Sequence, residues 1–267
     1  MYLTYSGGPT ALIEFGGLRL LTDPTLDPAG GEYQTGPVVL RKIAGPAVEA
    51  LSLDRIDAVL LSHDHHADNL DNAGRALLRR VARVLTTAAG AERLGSNAVG
   101  LGHWESADLT APDGRRLRIT ATPARHGLEG GDRGPVIGFV LAFEDEPGNA
   151  VYVSGDTVWY QGVEEVARRF AIRTAILFMG AARVAAVGPD ALTMTAADGI
   201  AVAHAFPHAA IVPLHFEGWE HFSESRADIA RAFDAAGLGP RLHWPVPGQR
   251  IHVGGQAGPG QSSRSMQ

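Results

Sequence analysis

Cysteine is missing from all 267 residues. That excludes disulfides and thiolate metal ligands, and leaves His, Asp and Glu to hold any metal. Lysine occurs once, at Lys42, so arginine carries almost all the positive charge. The 23 Lys and Arg are outnumbered by 29 Asp and Glu, for a formal net charge of −6. Such a balance argues against nucleic acid as the main partner, because neutralising phosphates needs a basic face. No run approaches the ~20 apolar residues of a membrane span. The opening "MYLTYSGGPT" has neither the basic start nor the apolar stretch of a signal peptide. These absences point to a soluble, cytoplasmic protein whose partner is a small molecule, with no role for nucleic acid or membrane.

What is present is ordinary for a globular chain: 45% hydrophobic and 19% charged residues, in a length that supports one large core. Residues 1–253 read as a single domain, and the Gly/Ser/Gln-rich stretch 254–267 as a disordered tail. "ALIEF" and "LRLLTD" flank Gly16-Gly17, which predicts a hairpin. "TDPTLDPAGGEYQTGP" predicts a long surface loop. Helical spacing appears in "AGRALLRRVARV", "VEEVARRFA", "TAADGIAVAHAF" and "SESRADIARAFDAAG", with Thr195 and Asp198 placed as a capping pair. Strands and helices interspersed in this way suggest a layered α/β protein of two packed sheets with helices outside.

Four strand-like segments end in a residue able to bind metal. "IDAVLL" runs into "SHDHHADNLD", which holds His63, Asp64, His65, His66, Asp68 and Asn69. "RRLRITATPA" ends near His126, "NAVYVSG" at Asp156 and "AAIVPL" at His215. Loops at one edge of a sheet can deliver such ligands to a common rim. Imidazole and carboxylate without thiolate suit Zn, Mn or Fe. A lone histidine is by default a core or surface residue, and His103, His204, His208, His221, His243 and His252 are read so in the first instance. His221 and Trp219, just after His215 in "HFEGWEHF", are candidates to line a pocket. Asp71 reads as a helix cap.

The order "GGPTALIEFGGLRLLTDPTLD", "IDAVLLSHDHHADNLD", "ATPARHG", "VYVSGDT", "IVPLHFEGW" resembles the metallo-β-lactamase-fold hydrolases, in particular the L-ascorbate-6-phosphate lactonase-like branch. The resemblance covers nearly the whole chain and implies a four-layer αββα sandwich, two mixed sheets face to face with helices outside. It implies one or two divalent metal ions, Zn foremost and Mn or Fe as alternatives. The activity implied is hydrolysis by metal-bound hydroxide of a small polar or anionic substrate through a lactone, amide or phosphodiester bond. The family's first motif is His-x-His-x-Asp-His; here it carries one residue more and ends in Asn69.

A turn insertion that keeps both ends of the motif assigns His63, His66 and Asp68, with Asn69 in the last place and His65 spare. Asp64 and His65 stay open as alternatives to His63. On the resemblance, one metal takes the first-motif histidines and His126, the other takes Asp68 and His215, and Asp156 bridges. Asp68 is also the catalytic candidate, and Asp23 before Pro24 is a candidate to support the ligands. The alternative is an impaired metal- or ligand-binding member, because the amide of Asn69 leaves the second metal site incomplete.

Overall fold

A computed structural model describes residues 1–35, 38–47, 53, 55–95, 97–130 and 133–254. The tail expected to be disordered, from 255 onward, lies outside the described residues.

The first sheet begins with the antiparallel strands β1 (Tyr2–Gly7), β2 (Thr10–Phe15) and β3 (Leu18–Thr22). Its hairpin turns at Gly16-Gly17, as the sequence predicts. Part of the expected surface loop that follows is instead a small hairpin, β4 (Glu32–Thr35) with β5 (Val38–Arg41). The Pro and Gly that suggested a loop sit before and between these short strands. β6 (Ala58–Leu60) is buried throughout, as a central parallel strand must be. It pairs with β3 on one side and β7 (Val84–Thr87) on the other. β8 (Ala98–Leu101) and β15 (Arg250–His252) form the edges, in the order β15-β1-β2-β3-β6-β7-β8.

The second sheet has the order β14-β13-β12-β11-β10-β9. Its strands are β9 (Ser106–Thr110), β10 (Arg116–Pro123), β11 (Ile137–Phe143), β12 (Ala150–Val153), β13 (Ile172–Phe178) and β14 (Ala210–Leu214). Neither β8 nor β9 is singled out by the sequence pattern. They are short edge strands whose alternation is too weak to stand out from a loop.

Leu20 and Leu60 of the first sheet share one buried core with Phe139 and Phe178 of the second. The outer face of the second sheet buries Tyr152 against Val163 and Val166 of α3 (Gln161–Arg169) and Ile229 and Phe233 of α5 (Arg226–Ala235). α4 (Ala196–Ala205) joins them, and its Thr195 cap and Asp198 do form a reciprocal capping box. The outer face of the first sheet packs Leu12, Val59 and Val84 against Leu77 and Leu78 of α1 (Asn72–Leu78). With α2 (Ala88–Leu94) beside β7 and β8, five helices flank two large mixed sheets among the described residues. The αββα layering predicted from the motifs is the observed fold.

Candidate metal centre

β3 and β6 run parallel in the first sheet; β10, β12 and β14 run parallel to one another in the second. The residues that follow their C-terminal ends are Asp23, the His63–Asp68 loop, His126, Asp156 and His215. Parallel strands deliver their ends to one edge, and this is the physical reason five distant segments meet. Close approach at that rim needs small residues. A Cβ on Gly155, which has φ +60°, would lie 2.6 Å from the Ile137 carbonyl oxygen and 2.8 Å from Ser62 Cβ. Asp23 and His215 are non-glycine residues held at positive φ, 22° and 55°. Such conformations cost ~1–3 kcal/mol each and persist where the surroundings over-determine them.

One half of the cluster is made of imidazoles. The backbone N–H and hydroxyl of Ser62 both donate to Asp23 Oδ1, at 2.9 and 2.8 Å. With its proton spent on Asp23, the Ser62 hydroxyl accepts from His63 Nδ1 at 2.9 Å. His63 Nε2 is thereby left unprotonated towards the cluster. His126 Nδ1 donates to the Leu192 carbonyl at 2.8 Å, which frees its Nε2 in the same way. His66 Nδ1 sits between them, 3.0 Å from His63 Nε2 and 3.2 Å from His126 Nε2. Donors bound tetrahedrally at 2.0–2.1 Å from one ion lie about 3.3 Å apart, which is this spacing.

The other half is mixed. Asp156 Oδ2 lies 3.5 Å from His126 Nε2, and its Oδ1 lies 3.5 Å from His215 Nε2, so one carboxylate faces both halves. Asp68 Oδ2 is 3.6 Å from His215 Nε2 and 3.0 Å from His221 Nε2. His63, His126 and Asp156 form one group whose ligand atoms all lie within 4.8 Å of one another, and Asp68, Asp156 and His215 form a second.

Both oxygens of Asp156, Asp68 Oδ1, both amide atoms of Asn69 and the nitrogens of His215 are buried without a hydrogen-bond partner. Buried ionised oxygens left unpaired are costly. Divalent ions would satisfy them, and the nitrogen and oxygen donor set fits Zn, Mn or Fe.

Electrostatics separates the two halves. Burial, reinforced by neighbouring imidazoles, holds His66 down to about 3 and His63 well below its ordinary value. Burial would also lower His215, but the Asp156 and Asp68 carboxylates outweigh it and raise His215 to about 10. Burial would raise Asp68 and Asp156. The histidines facing them win, and both carboxyls lie below the ordinary range. Asp23 is pushed well above the ordinary range, chiefly by burial.

The three residues left open in the first motif fall in different places. Both oxygens of the Asp64 carboxylate are engaged by Arg93, so its charge is already matched and it stands in neither group. His65 donates from Nε2 to the Arg133 carbonyl at 2.8 Å, which leaves Nδ1 buried and unpartnered in a third group with His63 and His66. Asn69 is fully buried, its backbone N–H bonded to the His66 carbonyl at 3.3 Å. Asp23 stands directly behind Ser62 and His63. Trp219 is not on the cleft beside the cluster. It packs on Tyr33 at 5.3 Å and under the Lys42 ammonium at 5.4 Å, since its bridge to Lys42 ties it to the β4–β5 hairpin side. Lys42, the single lysine, is buried in an ion pair with Asp71 at 2.8 Å, and Asp71 also caps α1. Sequence reasoning missed Ser62 and the Leu192 and Arg133 carbonyls, since a hydroxyl and two backbone groups carry no ligand signature.

Residues 18–216 match the family described as the β-lactamase superfamily domain. The chain belongs to the β-lactamase superfamily. This superfamily member is 26% identical over 260 residues to the UPF0173 protein YddR of Bacillus subtilis, a match covering 93% of this chain and 98% of that one. In structure it resembles the isothiocyanate hydrolase from Delia radicum gut bacteria, with a TM-score of 0.79 and 24% identity over 95% of this chain and 99% of that one. It also resembles a possible metal-dependent hydrolase from Veillonella parvula, with a TM-score of 0.78 and 22% identity over 94% and 98% of the two chains. At these identities the two structures share the superfamily fold with this chain.

Proposed function

We propose that this chain is a metal-dependent hydrolase of a small, uncharged electrophile carried on an apolar group. The observation that carries the reading is the cleft over the cluster. His66, Asp68 and His126 line it, and Leu40, Val184 and Leu192 are among its apolar walls. Arg133 is the one cationic side chain on this cleft among the described residues. Apolar walls favour a lactone, amide or isothiocyanate over the phosphodiester, and narrow the polar or anionic class expected from the motifs. They keep the lactone chemistry of the lactonase-like branch without its phosphorylated substrate. The structural neighbour named as an isothiocyanate hydrolase is consistent with that choice.

His63, His66, His126 and Asp156 would hold one ion; Asp156, Asp68 and His215 would hold the other. Divalent ions held there would supply Lewis acidity, for activating water near neutral pH and polarising the bond under attack. Asp68, ionised and at the cleft, accepts a hydrogen bond from the attacking water and orients it. The apolar walls exclude other water and seat the substrate's body, so that its electrophilic atom faces Asp68.

The test is metal content, then turnover. Protein purified without chelator should carry one to two divalent ions per chain by elemental analysis. It should hydrolyse at least one of an alkyl isothiocyanate, an alkyl lactone and an aryl amide faster than a bis-aryl phosphodiester. Asp68→Ala should abolish that turnover with the fold intact. An active, metal-loaded Asp68→Ala would sink the assignment, and a metal-loaded wild type inert on every probe would favour the non-catalytic reading.

A further inference from the structure

The second half of the centre is one nitrogen short. The first motif ends in Asn69, and an amide oxygen is a poorer donor to Zn than imidazole. We propose that His221, from the loop after β14, supplies the nitrogen that Asn69 does not; the proposal rests on reading the cluster as a metal centre.

Three observations carry it. His221 Nε2 is 3.0 Å from Asp68 Oδ2, the same oxygen that stands 3.6 Å from His215 Nε2, and His215 Nε2 is 3.5 Å from Asp156 Oδ1. These separations bracket the roughly 3.3 Å expected between donors on one ion. The His221 side chain is only 10% exposed and lies on the cleft with Asp68 and His66. Its position is built. The His221 carbonyl accepts from the Arg183 backbone N–H at 2.9 Å, Phe222 bridges to Ala182, and the Phe222 ring packs against both His221 and His215, at 4.6 and 4.9 Å.

The ligand has in effect moved from the loop after β6 to the loop after β14. The second ion would then be held by residues 68, 156, 215 and 221, three of them from the second half of the chain. His221 would act at the ion as a ligand and not as a proton carrier to Asp68.

The test compares wild type, His221→Ala, His221→Gln and Asn69→Ala by elemental analysis and by Zn(II) and Co(II) titration, with circular dichroism to check folding. Wild type should bind two ions. Both His221 variants should weaken one of them by more than about 10²-fold, beyond the 10–100-fold lost with a mere supporting partner, and leave the other unchanged. Asn69→Ala should keep two. Free imidazole should restore the second ion to His221→Gly, which a packing or proton-carrying role does not predict. Two ions at wild-type affinity in folded His221→Gln would overturn the proposal, as would loss of the second ion from Asn69→Ala alone. A wild type that binds only one ion, unaffected by His221→Ala, overturns it while leaving the first half intact. A wild type that binds none sinks the metal-centre reading itself.

Discussion

The two halves of the centre lie where strand ends of both sheets meet and share Asp156, yet they solve the same problem differently. In the first, three imidazoles converge, and burial keeps two of them, His63 and His66, neutral: His66 is held down to about 3. In the second, two carboxylates face His215, and their charge raises it to about 10. His63 and His66 therefore need lose no proton before an ion binds at ordinary pH. In the second, an ion must displace a proton from His215, and the attraction of Asp68 and Asp156 for the ion opposes that cost. Selectivity should come from nitrogen donors in the first half and from charge in the second.

The sharpest way to break the distinction is to remove what the halves share. Asp156→Ala should weaken both ions, each by on the order of 10²-fold or more, judged against the 10–100-fold typical of supporting partners. Loss of only one ion on titration would show that Asp156 does not bridge. A smaller effect separates the two histidines that the sequence could not. His66→Ala should weaken the first ion alone by on the order of 10²-fold, whereas His65→Ala should change it by less than about 10-fold. A reversed order in Zn(II) titration would assign His65 Nδ1 as the ligand.

Next comes the support behind His63. Ser62→Ala removes the acceptor of His63 Nδ1, and roughly 10- to 100-fold weaker binding in the first half should follow. An equal loss in the second half would mean that the two halves are not independent.

The smallest effect is the pH dependence of the metal-free protein. His66 titrates near 3 when folded against 6.5 when free. The unfolded chain binds the extra proton between those values, so stability should rise with pH up to about 6.5. His215 titrates near 10 when folded against 6.5 when free. The folded chain binds the extra proton there, so that contribution is present below about 6.5 and is lost as pH rises towards 10. The Tm measured in chelator should therefore peak near neutrality, and loading metal should flatten the alkaline side. A Tm constant from pH 6.5 to 10 would contradict the charge assigned to His215.

Most of the fold was legible because its signals are local. The Gly16-Gly17 hairpin, the buried β6, the Thr195–Asp198 cap and the strand ends at His126, Asp156 and His215 depend on neighbours within a few residues. The misses have a common cause. β4–β5 sits among Pro and Gly, β8 and β9 are short edge strands, and their pairing partners, not their own pattern, make them strands. At the site, the one-residue excess in "SHDHHADN" left the register open, because spacing along the chain does not say which side chain a turn directs inward.

The sequence by itself determined the layered architecture, the superfamily and the set of strand-end residues from which a metal centre can be built. Hydrophobic period and motif order are properties of the chain alone. Only the tertiary structure decided that Asp64 is committed to Arg93, that His66 Nδ1 stands between His63 and His126, that Trp219 lies away from the cleft, and that His221 meets Asp68. Each of those is a distance between residues far apart in sequence or on opposite sides of a turn. Such distances are set by the meeting of strand ends from both sheets and by backbone angles as unusual as those of Asp23 and His215, which no linear pattern records.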